Sequence, residues 1–579
     1  MNIAMMAYTE SGGAGRASVR LMDGLNRLSD VSCDMIVQER NSNHPRVMSA
    51  ERKNPFFQHI QEKWFSSNVP NGHVLMSLMY SGKEKEYLGM LEAYEIIHFH
   101  WISNFVSVES MDYMQKQGKY LVWTLHDRNP MTGGCHCTYG CNGYIDDCNN
   151  CPEMRINPYN ITKHILRQKK QYIPKNLVVV APSQWMAECA RKSAVFHENR
   201  IEVIPNSIDT SLFYNHDRNV AKESLGISAT SKAILYCAES PEQVHKGYNY
   251  FFTAMQWLQK KVRENNSYVE VVLILVGSSE KIIEDTKKLD MRVLPLGYVK
   301  DDVVLSKVYS AADVTVIPSM EDNFPNVMLE SLACGTPVVG FRTGGIPDVI
   351  RDGYNGYVVP QGDSVALGIG ILKVLDGNET EMSIKCRNYA EKNLSIETQA
   401  IRYKNLYEDI MLDARELKGK DIFIMPIESH RLLAPYYAES MNYLIGLNDR
   451  VAHAFLHNKS MEDLAIDYMI SHLEKFDSYP DKSIAVWGIG VFCKKLMEEM
   501  FQKNSAIKRK IYGFFDSSVQ CDSFMGFPCL QTEKIQEYGL SAIIIGSIQY
   551  EDEIYHQLYK CEELGIERIR LGNFLKDDL

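Results

Sequence analysis

Several stretches of the 579-residue sequence carry side chains whose types and spacing could do chemistry. The longest runs Glu321-Asp322-Asn323-Phe324-Pro325-Asn326-Val327-Met328-Leu329-Glu330 and on through Ser331-Leu332-Ala333-Cys334-Gly335-Thr336-Pro337. Asn323 is placed to cap a helix, Pro325 suits its first turn, and Gly335 with Pro337 supplies the stop, which predicts a helix of about three turns. Amides at such an N-terminus favour an anion. Asn323, Asn326 and Glu330 share one face, so a carboxylate is aimed along the side of the anion site. An acceptor-only carboxylate matches a vicinal diol such as a nucleotide ribose. A capped core helix with a solvated Glu330 fits the same residues.

Earlier in the chain, Ser11-Gly12-Gly13-Ala14-Gly15-Arg16-Ala17 joins the first strand to a helix expected over 18–28. Glycines admit close backbone approach to a ligand, and helix amides favour a phosphate; a tight strand-to-helix turn reads the same way. His126 closes the apolar run Tyr120 to Leu125, where a strand's C-terminal end suits a ligand site, or where the ring could simply bond the next loop. Cys135-His136-Cys137-Thr138-Tyr139-Gly140-Cys141 and Cys148-Asn149-Asn150-Cys151 hold five of the fourteen cysteines. Cys135, Cys141, Cys148 and Cys151 could close a tetrahedral thiolate site around structural zinc. Unligated thiols or a redox pair are the alternatives, and Cys137 is spare.

These residues need a frame. Short β-rich runs alternate with amphipathic helical segments: Asn2 to Ala7, Asp34 to Gln38, Ile96 to His100, Tyr120 to Leu125, Leu177 to Ala181 and Arg200 to Ile204. The cadence restarts with Ala233 to Ala238, Val269 to Val276, Arg292 to Leu296, Val314 to Pro318 and Pro337 to Phe341. The pattern is that of α/β doubly wound parallel sheets, two in tandem. The expected organisation is a first domain over 1–205 with a cysteine-rich insert at 133–152, and a second over 206–412 whose last helix returns to the first. An appended part over 421–579 starts with a strand-like run at Asp421 to Pro426 and a helical lead-in. Its α/β cadence then runs over 482–579, as Ile484 to Trp487, Lys510 to Phe515 and Ala542 to Ile545. There, Gly488-Ile489-Gly490 follows a strand and Asp516 ends the next, but Cys493 replaces the third glycine of a dinucleotide fingerprint, which argues against NAD. Nucleotide binding and partner docking both remain open for that module.

Composition narrows the classes. Apolar residues make up 45% and charged residues 23%, which excludes a disordered or low-complexity chain. The net charge of −11 offers no domain-wide basic excess for nucleic acid. The apolar runs are too short to span a membrane, and the start lacks the pattern of a signal peptide, so a cytoplasmic protein is expected. The basic stretch Lys163 to Gln171 could face anionic lipid at the inner leaflet, or be a solvated helix face.

The run Asp322 to Pro337, with Gly344-Gly345-Ile346-Pro347-Asp348 and Asn355-Gly356-Tyr357, resembles the donor-binding signature of retaining glycosyltransferases of family 4, which have the two-domain GT-B fold. Gly12-Gly13-Ala14-Gly15-Arg16-Ala17, His98-Phe99-His100-Trp101-Ile102, Trp123-Thr124-Leu125-His126-Asp127, Ala181-Pro182-Ser183-Gln184-Trp185, Pro205-Asn206-Ser207-Ile208-Asp209 and His245-Lys246-Gly247 agree. They are similar to the subgroup that builds bacterial exopolysaccharide and O-antigen. The resemblance spans roughly residues 1–410.

The resemblance implies that Glu330 binds the donor ribose and that Asp322, in place of the usual glutamate, reaches the transferred sugar, with Asn323, Phe324, Pro325 and Asn326 alongside. Glu321 is one residue out of register. Lys246 would neutralise the donor diphosphate; Ser240 stands where a companion arginine is customary, and His245 or Arg16 could share that duty. Gly12, Gly13 and His126 would close from the first domain, His126 positioning rather than acting as a base. The four cysteines match those the subgroup carries. The implied enzyme is a metal-independent hexosyltransferase using a UDP-sugar and a glycan or polyprenyl-diphosphate-linked acceptor in cell-surface polysaccharide synthesis. A non-catalytic scaffold subunit and a sugar-nucleotide epimerase or phosphorylase of the same fold are the alternatives.

Overall fold

The computed structural model describes residues 1–50 and 69–418, apart from 75, 78, 80–83, 156–159, 265–269 and 278–279. Further along it describes 466, 469–470, 473–488, 491–515, 523–545, 564 and 566–570. Contacts divide the chain into two compact units. The first is Met1–Lys53, Val69–Cys148 and Ile165–Phe423; the second is Asn54–Asn68, Asn149–His164 and Ile424–Leu579.

The first unit holds two parallel sheets. One contains β1 (Asn2–Thr9), β2 (Ser32–Glu39), β3 (Val47–Ser49), β4 (Ile96–Phe99), β5 (Tyr120–Thr124), β6 (Val178–Ala181) and β7 (Ile201–Val203). Their order is β3-β2-β1-β4-β5-β6-β7. The other contains β8 (Lys232–Cys237), β9 (Val271–Val276), β10 (Arg292–Gly297), β11 (Val314–Ile317), β12 (Val338–Phe341) and β13 (Gly356–Val359). Their order is β10-β9-β8-β11-β12-β13. Helices cover both faces of a parallel sheet, so its strands are apolar throughout rather than alternating. Ile3 to Ala7 and Val272 to Val276 accordingly have both side-chain directions buried, in separate cores above and below each sheet.

Strands β3 and β13 lie outside the sequence expectation. The first helix is Gly12–Asn26, six residues longer at its start than expected. Its glycines are therefore the first helical turn rather than a loop before it.

The chain passes between the sheets twice. Ile208 N–H donates to the Leu394 carbonyl at 2.8 Å, and Gln399 Nε2 donates to the Pro205 carbonyl at 2.8 Å, so the two crossings are tied together. Beyond them the helix Ile396–Lys418 lays Ala400, Tyr403, Leu406 and Tyr407 against Ile3, Met5 and Met22 of the first sheet's layer.

The second unit contains β14 (Ile484–Trp487), β15 (Ile511–Phe515), a hairpin of β16 (Ser523–Phe524) with β17 (Phe527–Pro528), β18 (Ala542–Ile545) and β19 (Glu567–Arg570). The parallel sheet runs β15-β14-β18-β19. Gly488 ends β14 with φ 121° and donates to the Phe515 carbonyl at 2.7 Å, while Cys493 is buried in the core. Gly490, Asp516, the strand-like run at 421–426 and most of the helical lead-in lie outside the described residues. Among the described residues no helix is long and apolar enough to cross a membrane.

Candidate functional site

Both sheets of the first unit change direction of winding between two neighbouring strands, β1 and β4 in one and β8 and β11 in the other. Loops leaving the C-terminal ends of such strands part there and leave a crevice. A cleft of about 720 Å³ lies at these ends. Gly12, Gly13, His126, Lys246, Asp322, Asn323, Phe324, Pro325, Asn326 and Glu330 all line it, so the geometry brings together every residue singled out for the donor and the chemistry.

On the wall built by the second sheet, Lys246 Nζ lies 2.8 Å from Asp322 Oδ2. Burial pulls the lysine pKa down, but the charge and hydrogen bond of Asp322 outweigh it and raise the value, so Lys246 stays cationic. Gly247, at φ 70°, turns the chain directly over the Pro318 carbonyl, where an added Cβ would sit at 1.8 Å. Gly344, at φ 52°, packs in the same way on the Asp322 carbonyl. These two contacts set the loop that carries Asp322 between the end of β11 and the turn after β12. His245, beside Lys246, has its pKa pushed down to about 4 by burial and by the neighbouring lysine. It therefore supplies no charge to a diphosphate.

Glu330 is buried and doubly held: Arg20 Nη2 lies 3.1 Å from Oε1, and Tyr309 donates its hydroxyl to Oε2 at 2.9 Å. Arg16 Nη2 stands 3.8 Å from the same Oε1 and pairs with Asp302. Arg16 and Arg20, four apart on the helix Gly12–Asn26, share a face, which is the signal by which the sequence could have revealed the pairing. Each carboxylate oxygen keeps a further lone pair, so a diol can still be bound.

The helix carrying Glu330 is Asn326–Ala333, two turns rather than three, with Pro325 at its N-cap position. Asn323 does not cap it. Its amide donates to the Leu125 carbonyl at 2.8 Å and the His126 carbonyl at 3.2 Å, while Ser183 donates to its Oδ1 at 2.8 Å. Asn326 Nδ2 likewise donates to the Gly13 carbonyl at 3.0 Å. Strand β5 ends with unpaired carbonyls that need donors, and these amides meet that need in preference to capping. Both asparagines thus fasten the two walls together.

On the opposite wall, a chain of rings leads inward from the cleft. His126 Nε2 lies 3.0 Å from His100 Nδ1, and the two rings stack at 5.3 Å. His98 lies against His100, accepts at Nδ1 from the Tyr407 hydroxyl at 2.8 Å, and meets Thr124 Oγ1 at Nε2 at 2.8 Å. Burial lowers the His126 pKa to about 4 and that of His98 to about 3, and it holds His100 well below its ordinary value. A neutral, ring-locked His126 fits a positioning role.

Glu321 is engaged away from Lys246. Its two oxygens accept from the Thr138 and Tyr139 amides at 2.9 and 3.0 Å, and Arg128 Nε lies 3.5 Å away. It anchors the cysteine-rich segment, which leaves Asp322 alone to face Lys246. Cys135, Cys141 and Cys148 fall in the first unit and Cys151 in the second. Among the described residues no three His, Cys, Asp or Glu side chains gather so as to hold a metal ion. The basic stretch loses a charge as well, because Lys169 is buried and donates to the carbonyls of Asn129 and Thr132.

Residues 11–212 match the family model Glycosyltransferase Family 4, and residues 231–377 match Glycosyl transferases group 1. The two matched regions are glycosyltransferase domains. A sucrose-phosphate synthase from Thermosynechococcus elongatus superposes with a TM-score of 0.52 at 18% identity, covering 71% of this chain and 99% of that one. The fold is GT-B. Among curated relatives of this GT-B chain, an N-acetyl-alpha-D-glucosaminyl L-malate synthase of Bacillus anthracis is 28% identical, over 38% of this chain and 56% of its own. An uncharacterized glycosyltransferase of Methanocaldococcus jannaschii is 29% identical, over 52% and 72% respectively. The chain thus spans little more than half of the first of these.

Proposed function

We propose that this chain is a retaining glycosyltransferase. It moves a hexose from a nucleoside-diphosphate sugar, a uridine diphosphate sugar above all, to a hydroxyl of a glycan or polyprenyl-diphosphate-linked glycan in cell-surface polysaccharide synthesis at the cytoplasmic side. The observation that carries this reading is the Lys246–Asp322 pair, 2.8 Å apart in the same cleft as Glu330. As the bond from the sugar's anomeric carbon to the diphosphate breaks, the leaving oxygen gains charge that Lys246 compensates. Arg16 is the second cation at hand, in place of the arginine that Ser240 replaces. Asp322, released from Lys246, accepts from the sugar's hydroxyls, and Glu330 accepts from the ribose. The acceptor oxygen bonds the anomeric carbon on the face the phosphate leaves, and its proton passes to that phosphate. His126, neutral, orients the sugar. Zinc at Cys135, Cys141, Cys148 and Cys151 is not needed for any of these steps, and the module at 482–579 is left for partner docking. The test is nucleoside diphosphate release from a panel of nucleotide sugars. Release whose donor affinity Glu330→Ala weakens supports the reading; no donor bound or cleaved refutes it.

A further inference from the structure

Ser77, Asp127 and His136 also line the cleft, and the transfer chemistry above uses none of them. His136 comes from the cysteine-rich segment and Asp127 from the end of β5. His136 Nδ1 lies 2.6 Å from Asp127 Oδ2, and His136 Nε2 lies 2.7 Å from Ser77 Oγ. Asp127 is further held by Trp101 Nε1 at 2.6 Å and the Asn129 amide at 2.8 Å. Burial alone would raise its pKa, but His136 and these donors lower it, so it is an ionised, acceptor-only group. His136 Nδ1 must then carry a hydrogen. In the neutral ring Nε2 is the acceptor, Ser77 donates its only proton to it, and the lone pairs of Ser77 Oγ are left for a substrate donor.

Ser77 is fixed for this on both sides of its backbone: its N–H donates to the Gly134 carbonyl at 3.0 Å and its carbonyl accepts from Asn129 Nδ2 at 2.9 Å. That N–H is already bonded, so it is not free to stabilise an oxyanion at Ser77. The cation of this wall is also engaged. Arg128 stacks 4.4 Å over Trp185 and pairs with Glu321. What the cleft offers, with Trp101 and Trp185 also lining it, is the Ser77 hydroxyl as a hydrogen-bond acceptor, which suits an uncharged polyol.

We infer that Ser77, held by His136 and Asp127, is the anchor for the acceptor, and that the acceptor class is a neutral sugar whose hydroxyl donates to Ser77 Oγ rather than an anionic alcohol. Ser77 touches the acceptor; His136 and Asp127 act through it as positioning residues. This rests on the transferase reading above, and a donor-side readout keeps the two apart.

The experiment uses the full chain with UDP-glucose as donor and two acceptor probes, a set of methyl glycosides and L-malate, the acid in the name of the Bacillus anthracis relative. Transfer to at least one methyl glycoside is expected. Ser77→Ala should raise the acceptor KM about tenfold, the order of one lost hydrogen bond, with the donor KM moving less than twofold, and Ser77→Thr should restore most of the loss. Asp127→Asn should do the same to the acceptor KM. With 15N-labelled histidine, His136, assigned by its loss in His136→Gln, should carry hydrogen at Nδ1 alone. Use of L-malate with every glycoside refused would overturn the proposal. So would an unchanged acceptor KM in Ser77→Ala, a His136 protonated at Nε2, or covalent labelling of Ser77 by a fluorophosphonate. Failure to bind UDP-glucose or any other nucleotide sugar would instead refute the transferase reading itself.

Discussion

The two walls of the cleft solve opposite problems. The wall from the second sheet is charged: Lys246 with Asp322, and Glu330 with the arginines that reach over to it. The wall from the first sheet has its own charges already engaged, Asp127 by His136 and Arg128 by Glu321, and presents His126, His100 and His98 kept neutral by burial. A diphosphate needs compensation for charge that grows as it leaves, whereas a sugar needs fixed neutral partners that do not compete with that compensation. The difference also explains the fastening between the walls. Asn323 and Asn326 join them through amide-to-carbonyl bonds that carry no net charge, beside the ion pair of Arg20 with Glu330.

The sharpest way to break this contrast is to remove the charge. Lys246→Ala should lower turnover by about 10³-fold, the loss typical of a preorganised transition-state contact; stopped assays of nucleoside diphosphate release give the number. Asp322→Ala and Glu321→Gln should separate cleanly. The first should cost about 10²-fold in turnover. The second should leave turnover within about threefold and lower stability by about 1 kcal/mol, because Glu321 holds two loop amides and Arg128 rather than a ligand. Equal effects of the two would mean that the register assigned to the acids is wrong.

Glu330→Ala tests the joint between the walls. It should weaken donor affinity about tenfold, and it should also destabilise the fold by about 3 kcal/mol, since Arg20 would be left buried without its partner. Denaturant titration separates the second effect from the first.

The smallest expected effect is that of pH on the neutral wall. Their pKa is about 4 for His126 and about 3 for His98 when folded, against 6.5 as the ordinary value. The unfolded chain therefore binds more protons below pH 6.5, so stability is fully kept above that value and falls as pH drops toward the folded values. Melting temperature measured from pH 7 to 4.5 should decline. In His98→Asn the decline should be shallower.

Much of this was legible beforehand where the chemistry demands a local pattern. The strand ends, the glycines and the run from Asp322 to Glu330 are read from neighbours in sequence, and Gly12, Gly13, His126, Asp322 and Glu330 among them meet in one cleft. What escaped depends on distant partners. Asn323 looked like a cap because capping is local, yet the bare carbonyls of Leu125 and His126, nearly two hundred residues away, took its amide. Arg20 drew no notice in sequence, and the crossing of the chain at Pro205 to Ile208 brings it to Glu330. The relay of Ser77, His136 and Asp127 is drawn from separate parts of the sequence that no spacing rule connects.

The central claim is that the charged wall holds the donor's diphosphate. Its most direct test is calorimetric titration of the full chain and of Lys246→Ala with a panel of nucleotide sugars and with the free nucleoside diphosphates. The expected result is that at least one nucleotide sugar and its diphosphate bind the unaltered chain, and that the substitution weakens both by about tenfold or more. Binding undiminished in Lys246→Ala, or no nucleotide bound by the unaltered chain, would contradict it.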